Sequence, residues 1–153
     1  MSHRREDGSI TPGLQEYLTA IYRLKKSGKK VVRVKELAEE MNVRLSSVTD
    51  AAKRLSNMGL IHYEKYGYID LTPRGEEIAS STLQKEETFF RFLTEFLGLD
   101  EAKAREEACW MEHGVGDETV LRISYLMSFL RKCVEDFDKK FREYLERGTC
   151  SDL

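Results

Sequence analysis

The feature that most limits the folds open to this chain is a change of hydrophobic period at Gly59. Before it, Val48, Ala51, Ala52, Leu55 and Met58 recur at helical spacing. After it, residues 60–71 alternate apolar and polar and turn at Tyr66-Gly67, which predicts a β-hairpin. Upstream, Leu37, Ala38 and Met41 mark a short helix from Val34 to Met41, and Asn42-Val43-Arg44 leaves room only for a turn. Two short helices about four residues apart, with the small Ala38 where they cross, predict a helix-turn-helix. Followed by the hairpin, they predict a winged helix.

The second of these helices keeps Ser46, Ser47, Asp50, Lys53, Arg54 and Asn57 on its outer side. Short polar groups early and cations late suit a helix whose N-terminal part enters a major groove. An ordinary amphipathic helix has the same inward stripe, and the hairpin that follows is what favours DNA. The residues expected to meet DNA are Arg44, Ser46, Ser47, Thr49, Asp50, Lys53 and Arg54, with Lys65 and Tyr66 at the hairpin tip. There Lys65 reaches phosphate and Tyr66 or Tyr68 packs on sugar. Charge agrees: residues 1–75 hold 14 Lys and Arg against 9 Asp and Glu, whereas residues 76–153 hold 11 against 18. The expected partner is double-stranded operator DNA.

In the rest of the chain, Leu14, Tyr17, Leu18, Ile21 and Leu24 predict a helix to about Ser27, with Gln15, Glu16, Thr19 and Arg23 on its polar side. Val31 to Val34 reads as a small strand. Thr72, with Pro73 at N1, caps a long connecting helix that stops at Gly98. Asp100 caps a helix to His113, Asp117 caps the next, and a last one spans about Val134 to Leu145. The expected fold is therefore mainly α, an N-terminal winged helix-turn-helix with a small hairpin wing and then an all-helical domain. The expected division is an arm over 1–10, a DNA-binding domain over 11–75, a helical domain over 76–147 and a tail over 148–153.

Val120, Leu121, Ile123, Leu126, Met127, Phe129 and Leu130 make an apolar surface wider than one core face needs, so a homodimer is expected. No apolar run approaches the roughly 20 residues that span a bilayer, and Met1 to Gly8 lacks the apolar stretch of a secretory signal. Three distant cysteines, Cys109, Cys133 and Cys150, fit a reduced, cytoplasmic setting. No membrane and no small organic ligand is expected.

Cys109, Glu112 and His113 stand at i, i+3 and i+4, which places them on one helix face. A thiolate, a carboxylate and an imidazole converging there can ligate a divalent transition metal. A lone Cys is also a common core residue, and Glu-His a common surface pair, so spacing alone leaves both readings open. Enzyme readings lack their motifs: there is no His-Glu-x-x-His pair and no Gly-rich phosphate loop, and His3 and His62 lie in the arm and the hairpin. A metal hydrolase therefore stands third, behind a metal-independent winged-helix regulator that uses Cys109 as a thiol sensor.

Glu16-Tyr17-Leu18-x-x-Ile21-Tyr22, Ser46-Ser47-Val48-Thr49 and the Cys109/Glu112/His113 set, over about residues 11–146, resemble the diphtheria toxin repressor family of metal-dependent regulators. In length the chain looks like the short, manganese-type members without an SH3-like domain. The resemblance implies a repressor of metal uptake that binds its operator as a dimer when loaded with Fe(II) or Mn(II). Zn(II), Co(II) or Ni(II) are possible in vitro. It implies that Cys109, Glu112 and His113 are ligands, as in the iron sensors, and that Glu16 lies at the first-helix ligand position. Glu86 stands where both groups carry a His; it is either a further oxygen ligand or a partner of Arg105. Thr19, Phe90 and Arg105 depart from the family's second-site ligands. Asp50 lies where iron sensors carry a base-contacting Gln and manganese sensors a Lys.

Overall fold

The first helix begins where Thr11 and Pro12 dictate. Pro12 has no N–H to lose at N1, and Thr11 accepts from the Leu14 N–H at 3.4 Å, so α1 runs Pro12–Lys26. The structure, a computed structural model, describes residues 10–65 and 67–149. Most of the expected arm and tail, together with Tyr66 and Cys150, lies outside the described residues.

Helix α1 buries Leu14, Leu18, Ala20 and Ile21, and also Thr19, which its sequence position assigns to the polar side. The Thr19 hydroxyl donates to the Glu16 carbonyl at 3.0 Å, and a hydroxyl satisfied within its own helix can enter the core. Strand β1 (Val32–Arg33), helix α2 (Val34–Met41) and helix α3 (Leu45–Asn57) follow. The turn between the helices is made by Asn42 in the left-handed region at φ 53°, which Asn tolerates through its short polar side chain.

Strands β2 (Ile61–Tyr63) and β3 (Tyr68–Leu71) form the expected hairpin. Strand β1 joins it as well, giving an antiparallel sheet of order β1-β3-β2, with Val32 opposite Ile69 and Ile61 opposite Leu71. Helix α4 (Pro73–Arg91) is tied to the base of this wing through Thr72. Its hydroxyl donates to the Gly59 carbonyl at 2.8 Å and accepts from the Gly75 N–H at 3.1 Å. Only glycine fits at position 75, because a Cβ there would lie 1.9 Å from the Leu60 carbonyl oxygen.

The chain divides into two compact units between Leu83 and Gln84, so α4 contributes to both. The core of the first is built from Leu18, Ile21, Val32, Leu37, Val48, Leu55, Leu60 and Ile69, all almost fully buried. Each such side chain contributes roughly 1.5–3 kcal/mol by leaving water.

In the second unit the connecting helix does not stay α-helical to Gly98. Phe92–Phe96 is a π-helical turn, closed by Leu97 N–H donating to the Phe92 carbonyl at 3.1 Å, with Leu93 and Phe96 buried. Asp100 caps α5 (Glu101–Gly114) as expected, accepting from Lys103 N–H at 3.0 Å. Helix α6 (Asp117–Cys133) is capped by Gly116 rather than Asp117. Asp117 sits instead in the first turn, where it faces the helix N-terminus and pairs with Lys85. Helix α7 starts at Phe137, not Val134, because Val134 is extended and Asp136 takes a left-handed φ of 54°; it ends at Arg147. Phe89, Leu93, Ala104 and Ala108 form this unit's buried cluster, with Met111, Val120 and Ile123 against it. The fold is mainly α, as the sequence predicts. Among the described residues, no helix is long and apolar enough to cross a membrane.

Candidate metal centre and DNA-reading face

Helix α5 carries the metal-type donors, and its apolar side explains their position. Ala104 and Ala108 pack against Phe89 and Leu93, which leaves Cys109 and His113 half-buried at the edge of that contact. The Cys109 sulfur and a His113 ring nitrogen lie within 4.8 Å of each other. One ion with bonds of about 2.0–2.3 Å can bridge such a pair after a small side-chain rotation.

Glu112 is buried, with 7% of its surface exposed, and its Oε2 lies 3.1 Å from His113 Nδ1. A carboxylate in so little water needs a cation or a donor beside it. With the proton on Nδ1, His113 donates to Glu112 and leaves Nε2 free to ligate, the arrangement in which a carboxylate orients a metal-binding imidazole. Sulfur, nitrogen and buried oxygen on one helix face fit a borderline divalent transition ion.

Glu86 is half-buried on α4 in the same unit. Arg105 lies over the Phe90 ring at 4.2 Å, a cation–π contact joining two of the positions that depart from the family pattern. Glu16 belongs to the first unit, exposed on α1.

The reading face of the first unit is built by α3. Its inward residues Val48, Ala51, Ala52 and Leu55 fix the helix by their burial, which leaves Ser46, Ser47, Asp50, Lys53 and Arg54 exposed, with Arg44 at the N-cap. Thr49 is half-buried and donates to the Leu45 carbonyl at 3.0 Å. Lys65 is exposed at the hairpin turn, where Gly67 N–H donates to the Glu64 carbonyl at 2.8 Å.

Two features of this face escape the sequence reading. Leu45 opens α3 with 54% of its surface exposed, although it falls three residues before Val48 and so looks like part of the buried stripe. An outward aliphatic group there suits a thymine methyl. The second is the Lys25–Asp70 ion pair, which pins β3 to α1. Partial burial opposes the charge on Asp70, but the Lys25 ammonium and the Leu71 N–H at 2.8 Å outweigh it and hold the carboxyl below its ordinary value. Glu36 is lowered likewise, first by Lys29 at 2.6 Å and then by the Arg33 N–H at 2.9 Å, which braces the start of α2.

Residues 9–69 match the family described as iron dependent repressor, N-terminal DNA binding domain, and residues 72–138 match iron dependent repressor, metal binding and dimerisation domain. An uncharacterized HTH-type transcriptional regulator of Methanocaldococcus jannaschii is 41% identical over 118 residues, covering 77% of this chain and 94% of that one. The HTH-type transcriptional regulator MntR of Lysinibacillus sphaericus is 31% identical over 122 residues, covering 80% and 86%. Among solved structures, a manganese-dependent transcriptional repressor in complex with manganese superposes with a TM-score of 0.68 at 28% identity over 76% of this chain. The chain spans about half the length of that solved protein, 53% of it.

Proposed function

The chain belongs to the iron dependent repressor family, and on that premise we propose that it is a metal-dependent transcriptional repressor of metal uptake, cytoplasmic, binding operator DNA as a homodimer. The family is one of regulators, not enzymes. The observation that carries the reading is the α5 donor set: Cys109 and His113 within bridging reach of one ion, with the buried Glu112 carboxylate against His113.

Cys109, Glu112 and His113 serve as ligands, and Glu16 completes the site from the first unit, with Glu86 a further oxygen donor. A cation shared between α1 and α5 fixes the DNA-binding domain, residues 11–75, against the helical domain, residues 76–147. Without it, the carboxylates and the thiolate repel one another. Metal selects the DNA-competent arrangement by binding it more tightly, and DNA tightens metal by the same factor, typically about 1–3 kcal/mol. A thiolate favours Fe(II) over Mn(II), so iron is placed first and manganese second, while Zn(II), Co(II) and Ni(II) bind in vitro.

On the DNA side, Ser46, Ser47, Thr49 and Asp50 face bases. Arg44, Lys53, Arg54 and Lys65, with Tyr66, meet the backbone. The dimer forms through α6 and α7, which expose Leu121, Tyr125, Leu126, Phe129, Tyr144 and Leu145. Titration of the purified chain with Fe(II), Mn(II) and Zn(II), with operator binding as the readout, tests the reading. The expected result is DNA affinity that rises at least about fivefold with metal. Equal affinity with and without metal would leave the metal-independent regulator.

A further inference from the structure

Gln15 is polar, yet it stands half-buried on α1 between the buried Leu14 and the exposed Glu16. Its Nε2 donates to Thr82 Oγ1 on α4 at 2.5 Å, across 67 residues of sequence and within the first unit. Thr82 is itself buried, with 6% of its surface exposed. Burying a threonine does not require such a partner. Further along α4 and its π turn, Thr88 and Thr94 each donate to a carbonyl of their own helix, that of Gln84 and that of Phe90, both at 2.9 Å. Thr82 is instead the acceptor of a bond between two helices.

What this bond adds to the packing is direction. Leu14, Leu18 and Ile21 hold α1 in the core by apolar contact, which is non-directional and permits small rotations and slides of the helix. A hydrogen bond is lost over a fraction of an ångström, so it fixes both. The other ion pair between these helices, Lys26 with Glu76 at 4.0 Å, lies at the far end of α1 between side chains 63% and 57% exposed, and an exposed pair constrains little. Gln15 stands near the start of α1, two residues after Gly13, where helix order is lowest. The residue it adjoins is Glu16. On α4, Thr82 and Glu86 stand at i and i+4, on one face a turn apart. The bond therefore ties the turn of α1 that carries Glu16 to the face of α4 that carries Glu86.

We propose that Gln15 and Thr82 are positioning residues of the metal switch, holding the first turn of α1 at a fixed height and roll on α4 so that Glu16 is presented to the ion. The inference rests on the repressor reading, in which Glu16 is a ligand. Neither side chain touches the metal. Both act through Glu16, by making its direction part of the fold before metal arrives.

The test uses the full chain, Mn(II), and a DNA duplex selected with the parent protein in Mn(II). DNA affinity is measured with and without the ion. Thr82→Val keeps the volume and removes the hydroxyl; it is expected to reduce the gain of DNA affinity from Mn(II) about fivefold while leaving metal-free DNA binding as in the parent. Thr82→Ser, which restores the acceptor, is expected to keep the parent's gain, as is Lys26→Gln at the exposed pair. Gln15→Met, a change at a half-buried side chain, is expected to match Thr82→Val and carries the test should that variant fail to fold. A parent's gain in Thr82→Val or Gln15→Met, or an equal loss in Thr82→Ser, would overturn the inference and leave the repressor reading intact. A parent whose DNA affinity does not respond to Mn(II), Fe(II) or Zn(II) would overturn both.

Discussion

The two units solve the problem of a small core differently. The first closes on itself: among the described residues, sixteen buried apolar ones, drawn from α1 to α4 and all three strands, form one cluster. In the second the corresponding cluster holds four, and α7 buries none of its residues. Several of its large apolar side chains lie outside instead, with Leu121, Phe129 and Leu145 each at least half exposed. A domain that leaves this much apolar surface in water lacks part of its core, and a second copy supplies it in the proposed dimer. The contrast teaches that the first unit holds the larger apolar core of its own, whereas the helical unit exposes the apolar surface that a second copy would cover in the proposed dimer.

The largest effect is expected where the first core is tightest. Gly75→Ala forces a Cβ against the Leu60 carbonyl, so α4 must move off the wing base. A loss of about 3 kcal/mol or more is expected in denaturant unfolding, and a loss below about 1 kcal/mol would mean that the contact yields easily. Next comes the assembly surface. Phe129→Asp is expected to weaken dimerisation at least about tenfold in sedimentation while leaving the unfolding midpoint of the first unit in place. Dimers as tight as the parent's would move the interface off α6.

Smaller effects separate positioning from reading on α3. Lys53→Ala or Lys65→Ala is expected to weaken all DNA sites alike and to flatten the salt slope by about one. Asp50→Ala is expected to change the preferred sequence, since an outward carboxylate accepts from cytosine N4 and repels phosphate. An unchanged preference in a selection experiment would make Asp50 merely tolerated. The smallest effect concerns the Lys25–Asp70 pair. The folded carboxyl titrates below its unfolded value of about 3.9, so its contribution is present above that pH and is lost as pH falls through the folded value. With 41% of the Asp70 side chain exposed, Asp70→Asn is expected to cost only about 0.5 kcal/mol at pH 7 and to lessen the acid dependence. Identical pH profiles for variant and parent would contradict this.

The first unit was legible because its boundaries are written in residues with one local meaning. Thr11-Pro12, Gly59 and Thr72-Pro73 each satisfy or forbid a particular backbone group. What escaped depends on neighbours distant in sequence. Thr19 is buried because its hydroxyl bonds within its helix, which a polar-versus-apolar pattern scores wrongly. The π turn at Phe92–Phe96 keeps the same residues apolar, so periodicity reads on through it to Gly98. At α7 the apolar pattern runs back to Val134, whereas the left-handed backbone of Asp136 delays the helix to Phe137. At the candidate metal centre, spacing brought Cys109 and His113 together. The burial of Glu112 and its approach to His113 required the packing of α5 on Phe89 and Leu93.

The most direct test of the account is Glu16→Ala, because Cys109, Glu112 and His113 can still hold metal within the second unit. Metal binding and operator binding are measured on the same protein, with and without Fe(II) or Mn(II). The account predicts weakened but measurable metal binding and little or no gain of DNA affinity from it. A variant whose DNA affinity responds to metal as the parent's does would mean that the cation does not join the reading half to the helical half, and the proposed switch would be wrong.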